Sequence, residues 1–248
     1  MRFRIEVCVD SIESAIVAQE AGAHRIELCS GLSEGGLTPG FGLISSARHN
    51  LDIGLHVLVR PRPSDFLYSD DDYDIMRKDI DFCGEAGADG VVIGILMADG
   101  TIDIDRCSRL VEYSRPMSVT FHRAFDLCRA PLDSIRDVIS TGADRVLTSG
   151  QAQSAIEGAA LLSQLLKETR GKIIIMPGGG INESNIRELV EKTGAPEFHF
   201  TARSRFHSEM LFKKEGVSMG GANLADEYTR QVADKEKIGS ITRILKML

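Results

Sequence analysis

Two cysteines, three histidines and several ions fall on alternate positions of short strand-forming runs. Cys8 follows Glu6 in Arg4-Ile5-Glu6-Val7-Cys8-Val9, and Cys29 follows Arg25 and Glu27 in Arg25-Ile26-Glu27-Leu28-Cys29. His56 and Arg60, Thr120 and His122, and His199 and Thr201 repeat the pattern. In a helix-covered parallel sheet both faces of a strand are normally apolar, so repeated charge and sulfur on one face mark a polar interior. Thiolates select soft ions such as Cu(I) or Zn(II), and Cys8 and Cys29 at similar depth on neighbouring strands would suit one metal ion, with a histidine beside them. A second reading, two small inert buried thiols, stays open at this stage.

Other residue types point to a small anion and to proton transfer. Phe121-His122-Arg123-Ala124-Phe125-Asp126 crosses from a strand end into a loop. His122 there, with Glu27 and Asp126, forms a candidate acid/base set, because imidazole titrates near neutral pH. Pro177-Gly178-Gly179-Gly180-Ile181-Asn182 brings backbone N–H groups to a helix start, a cradle for phosphate or carboxylate, and Thr148-Ser149-Gly150-Gln151 precedes it by one unit. Arg60-Pro61-Arg62-Pro63 holds two guanidinium groups on a stiff loop, able to clamp an anion or to staple Asp65 and the acidic run Ser69-Asp70-Asp71-Asp72. The candidate ligand-binding set is therefore Arg25, Arg60, Arg62, Ser149, Gly178, Gly179, Gly180 and His199. Arg25 and Arg60 are also the expected counter-charges for Glu6 and Glu27.

A (β/α)8 barrel is the scaffold that brings such scattered positions to one mouth. Four helix endings share a phrase: Ala21-Gly22-Ala23, Ala86-Gly87-Ala88, Thr141-Gly142-Ala143 and Thr193-Gly194-Ala195. In each, glycine stands where a left-handed residue closes a helix before a strand. The intervals accommodate eight strands: 4–9, 25–29, 53–60, 90–94, 117–122, 145–149, 172–176 and 197–201. Helices are expected over 11–22, 39–49, 71–86, 103–114, 131–141, 152–169 and 182–193, with 225–248 as the eighth. Thr38-Pro39 is expected to cap the second helix and Ser69 the third. A doubly wound open sheet is the competing α/β arrangement. One domain spanning 1–248 is expected, with the segment Arg203 to Asn223 covering the mouth or meeting another copy.

Composition narrows the function classes. The 248 residues are 43% hydrophobic and carry a net charge of −7, with no clustered Lys/Arg for a phosphate backbone or membrane surface. No nucleic-acid or membrane partner is expected; a metal ion or small anionic ligand is. The N-terminus alternates like a strand and lacks a signal-peptide core, which predicts a cytoplasmic protein. Five cysteines without a CxxC pair read as reduced thiols, with Cys83, Cys107 and Cys128 in packing roles.

Several of these stretches together resemble the CutC family of copper homeostasis proteins. They are Glu6-Val7-Cys8, Arg25 to Gly31, Glu34 to Pro39, Arg60-Pro61-Arg62 with Asp65-Phe66, Thr120 to Asp126, Leu147 to Gln151, Met176 to Gly180 and Ala225 to Tyr228. The resemblance implies a cytoplasmic TIM barrel that forms dimers or larger homo-oligomers, handles copper, and uses Cys8 and Cys29 as Cu(I) ligands. Pro63-Ser64 and Gly40 depart from the family's usual Gly-Gly and Ser. Two functional alternatives stand beside copper: an enzyme acting on a small anionic metabolite through His122 and Glu27, and a non-catalytic scaffold.

Overall fold

The computed structural model describes residues 3–217 and 227–248. Eight parallel strands alternate with eight helices: β1 Arg4–Val9, α1 Ile12–Glu20, β2 Arg25–Leu28, α2 Phe41–Asn50, β3 Gly54–Leu58, α3 Asp70–Glu85, β4 Gly90–Ile93 and α4 Ile104–Ser114. The second half continues with β5 Ser118–Phe121, α5 Pro131–Ser140, β6 Arg145–Thr148, α6 Ala159–Thr169, β7 Ile174–Pro177, α7 Ile186–Thr193, β8 Glu197–Phe200 and, at its end, α8 Lys235–Lys246. The sheet runs in the order β7-β6-β5-β4-β3-β2-β1-β8, and a parallel bridge from Gly178 to His199 brings its two ends together. Sequential neighbours without a reversal of strand order exclude the doubly wound sheet and make a (β/α)8 barrel. No helix among the described residues is long and apolar enough to cross a membrane.

Period-two alternation divides each strand between two environments. Ile5, Val7, Val9, Ile26, Leu28, Leu55 and Val57 join one apolar layer between sheet and helices. Cys83, Cys107 and Cys128 pack in that layer too. The opposite parity of β1 and β2 carries Glu6, Cys8, Arg25 and Glu27 into the lumen, all buried. Four phrase glycines close their helices in the left-handed region, with φ of 90° at Gly22, 78° at Gly87, 81° at Gly142 and 68° at Gly194.

Local departures have local causes. Ser69 caps α3 in a capping box with Asp72, as its sequence predicts, but Thr38 caps nothing. The second helix begins after Gly40, and the Thr38 hydroxyl instead accepts from the Arg60 backbone N–H at 2.9 Å, tying the β2 loop to the end of β3. The stretch before α8 is not helical: Thr229–Ala233 forms β10, antiparallel to β9 Arg203–His207. Residues 218–226, which include part of the expected mouth-covering segment and Ala225, lie outside the described residues.

β4 contributes almost no side chain to the lumen. Its inward positions read Gly90, Val92, Gly94, and a Cβ at Gly90 would stand 2.5 Å from His56 Nε2 while one at Gly94 would stand 2.5 Å from His122 Nδ1. Two imidazole rings thus occupy the space that β4 gives up. Gly90→Ala and Gly94→Ala are each expected to lower unfolding free energy by about 1–3 kcal/mol in urea denaturation, as overpacked cores do. Gly42→Ala, on a helix face where an added Cβ meets nothing within 4 Å, should leave it unchanged or raise it by up to about 1 kcal/mol.

Candidate functional site

The lumen is organised by one carboxylate. Glu6 has no solvent exposure; its Oε2 accepts from Arg25 Nε and its Oε1 pairs with His199 Nδ1 at 2.8 Å. Arg25 reaches on to Glu197 Oε2 at 2.8 Å, and Arg145 Nε donates to the same oxygen at 2.7 Å. Two guanidiniums and two carboxylates therefore alternate across β1, β2, β6 and β8, the arrangement that makes buried ions tolerable. Burial opposes ionisation of Glu6, yet the Arg25 charge and the His199 bond outweigh it and hold the carboxyl well below the usual carboxylate range.

Above this floor lie the sulfurs. The Cys8 and Cys29 Sγ atoms are 3.7 Å apart, and the Cys8 thiol donates to Glu27 Oε1 at 3.6 Å. The bond to Cys29 and burial push the Cys8 thiol well above its usual value. Cys8, Glu27 and His199 each offer one donor atom within 4.8 Å of the others. Burial pushes Glu27 up to about 7. His199 resists the neutralising effect of burial because Glu27, Cys8 and Glu6 all favour its charged form, and it titrates well above the usual imidazole range.

A cavity of about 260 Å³ opens over these groups at the C-terminal ends of the strands, bounded by Cys8, Glu27, Arg60, His122, Gly179 and His199 among others. Cys29 is wholly buried beneath it. His122 is one wall. Its Nδ1 accepts from the Ala124 N–H at 3.2 Å, its ring lies 4.8 Å from Phe66, and burial together with the Arg60 charge pushes its pKa down to about 3. With Nδ1 accepting from Ala124, the neutral ring carries its hydrogen on Nε2. His56 is likewise neutral, pushed down to about 4 by burial.

Other candidates fall elsewhere. Asp126 has hydrogen bonds on both its oxygens: Oδ1 accepts from Thr148 Oγ1 at 2.5 Å and Gln151 N at 3.2 Å, and Oδ2 from Ser149 Oγ at 3.0 Å and Arg123 Nε at 2.7 Å. It braces the β6 loop, and Ser149 belongs to that brace. Arg62 is a staple, bonded to Asp65 Oδ1 at 3.0 Å and Asp72 Oδ2 at 3.2 Å. Arg60 is not the counter-ion of Glu6 or Glu27; its guanidinium donates to the carbonyls of Glu34, Gly36 and Ser64. Gly179 and Gly180 bound the cavity, whereas Gly178 packs on Leu147 and His199. Arg145 and Glu197, absent from the sequence-based set, share inward parity with Ser149 and His199 on their strands, so the same alternation carries them into the lumen.

A family model described as the CutC family matches residues 3–204. The Homo sapiens copper homeostasis protein cutC homolog is 45% identical over 244 residues, covering 98% of this chain and 89% of its own length. A CutC family protein of Chromobacterium violaceum is 46% identical over 241 residues, 97% of each chain. The crystal structure of a CutC copper homeostasis protein from Streptococcus agalactiae superposes with a TM-score of 0.76 at 30% identity, over 80% of this chain and 98% of that one.

The depressed titration of His122 has a measurable sign. The unfolded chain takes up a proton there near pH ~6.5 that the folded chain refuses until about pH 3, so this residue's contribution to stability declines as pH falls through that window. His122→Gln removes the effect. The stability difference between wild type and His122→Gln is expected to move in the variant's favour by about 1.4 kcal/mol per pH unit below pH ~6.5, read by urea denaturation across pH.

Proposed function

Because this chain belongs to the CutC family, we propose that it is a copper homeostasis protein that takes up one Cu(I) ion between Cys8 and Cys29. The observation that carries the reading is the pair of sulfurs 3.7 Å apart beside an imidazole. Thiolates and imidazole are soft or borderline donors, and a metal–sulfur bond of ~2.3 Å at a tetrahedral angle separates two sulfurs by ~3.8 Å. The existing spacing therefore fits an ion held at a bent angle without strand movement. His199 presents its ring to Cys8 with its other nitrogen fixed by the Glu6 carboxylate, the arrangement that orients metal-binding histidines. Copper is here the cargo; each thiol that engages it gives up its proton.

A reducing, cytoplasmic setting agrees with five free cysteines, all buried. Self-association is supported by the apolar run beyond β9, where Met210, Leu211, Phe212 and Val217 are exposed.

Reduced protein titrated with Cu(I) against a competing chelator should bind about one ion per chain by elemental analysis, consistent with a single two-sulfur site. The Cys8→Ser, Cys29→Ser protein should retain none; undiminished copper in that variant, or zinc held in its place by wild type, overturns the assignment. In sedimentation velocity the wild type should run as a dimer or larger, and Leu211→Asp with Phe212→Asp as a smaller species.

A further inference from the structure

Five buried side-chain nitrogen or oxygen atoms among the described residues have no hydrogen-bond partner: Glu27 Oε2, His56 Nδ1, Arg60 Nε, Tyr68 Oη and His122 Nε2. Buried polar groups are almost always satisfied, and each one left unmade costs about 1–3 kcal/mol. Three of the five, those of Glu27, Arg60 and His122, belong to residues bounding the cavity above the sulfurs. None of the three is accounted for by a two-sulfur copper site.

Their chemistry is complementary. Arg60 Nε carries a hydrogen, and so does His122 Nε2, because the Ala124 N–H is donated to the other ring nitrogen. Glu27 Oε2 can accept. Two donors on one wall and an acceptor on another describe a molecule with an acceptor end and a hydroxyl or amine end.

Charge decides what the acceptor end is. Three guanidiniums are buried among the described residues, and Arg25 and Arg145 both pair with carboxylates. Arg60, only 6% exposed, is bonded to three backbone carbonyls and to no carboxylate among the described residues. A buried cation without a counter-ion is unfavourable unless an anion arrives. Arg123 and Arg203 also border the cavity, but each is paired with a carboxylate, Asp126 and Asp10 respectively, which leaves Arg60 as the bordering guanidinium without one among the described residues. Gly179 and Gly180, with φ of 107° and 69°, bend the backbone after β7 along the same wall. The space suits a metabolite of a few carbons and is smaller than a drug-sized site.

We propose that this cavity binds a small hydroxylated organic anion, whose carboxylate or phosphate meets Arg60 Nε and His122 Nε2 and whose hydroxyl donates to Glu27 Oε2. The site goes beyond copper uptake: it places no ligand on Cys29 and requires no metal. Bidentate or paired contacts of this kind to a guanidinium are strong because the acceptor is ionised.

The test uses full-length apoprotein with a copper chelator present, so that its failure leaves the copper assignment standing and the converse. Calorimetric titration with glycerol 3-phosphate and separately with glycerate distinguishes a phosphate from a carboxylate end. At least one should bind saturably in the millimolar range or tighter. His122→Leu should weaken it about tenfold, equal to ~1.4 kcal/mol, and Arg60→Lys by as much, while His122→Gln, which keeps a side-chain N–H, should retain most of it. Nitrogen-15 NMR of histidine-labelled wild type reads the same contact without substitution: the His122 Nε2 resonance should shift on titration. Absence of binding by both compounds, binding indifferent to the His122 and Arg60 changes, or an unmoved His122 resonance overturns the proposal.

Discussion

A carboxylate without solvent at the centre of a barrel constrains everything near it. Glu6 remains ionised because Arg25 and His199 grip separate oxygens, and Arg25 in turn donates to Glu197, which accepts from Arg145 as well. Desolvating such ions costs several kcal/mol each, so the geometry of the whole set must hold for any part to be stable. Its consequence for chemistry is positional. Through Nδ1, Glu6 fixes the His199 ring, and the ring stands against Cys8; a side chain on β8 thus has its orientation set from β1.

The two walls of the cavity have different characters. One wall carries sulfur, imidazole and Glu27 from β1, β2 and β8, and the other carries Arg60, His122 and the Gly179-Gly180 turn from β3, β5 and β7. Soft donors and hard cationic donors seldom serve one ligand. Their separation within a shared opening lets a metal ion and an organic anion be considered independently, although either would alter the field felt by the other.

Much of this was legible in the sequence, for reasons specific to particular residues. Alternation placed Glu6, Cys8, Arg25, Glu27, His56, His122 and His199 correctly, because a strand buried on both faces still has period two. The glycine phrases located helix ends because only a left-handed residue closes those turns without strain. Arg145 and Glu197 carried the same parity and required only its consistent use. The partner of Arg60 was not readable, since backbone carbonyls of the β2 loop have no sequence signature. Nor was the occupation of Asp126, whose brace depends on how the β6 loop folds back. The roles of Gly90 and Gly94 were hidden for another reason: their importance lies in the neighbouring rings they accommodate, and a missing side chain announces no partner. His122 looked like a titrating group by type alone, whereas burial and the Arg60 charge keep it neutral and the Ala124 N–H, two residues on, decides which nitrogen holds the proton.

The sulfur pair has an inside and an outside. Cys8 forms part of the cavity wall, while Cys29 is sealed behind it with its thiol turned to the Val9 carbonyl at 3.5 Å. Whatever arrives from the opening, an ion, an alkylating reagent or a disulfide-bearing molecule, meets one thiol first and the other only afterwards. The arrangement imposes a sequence in time on a pair that is symmetric in chemistry, and departure must run through the same outer sulfur in reverse.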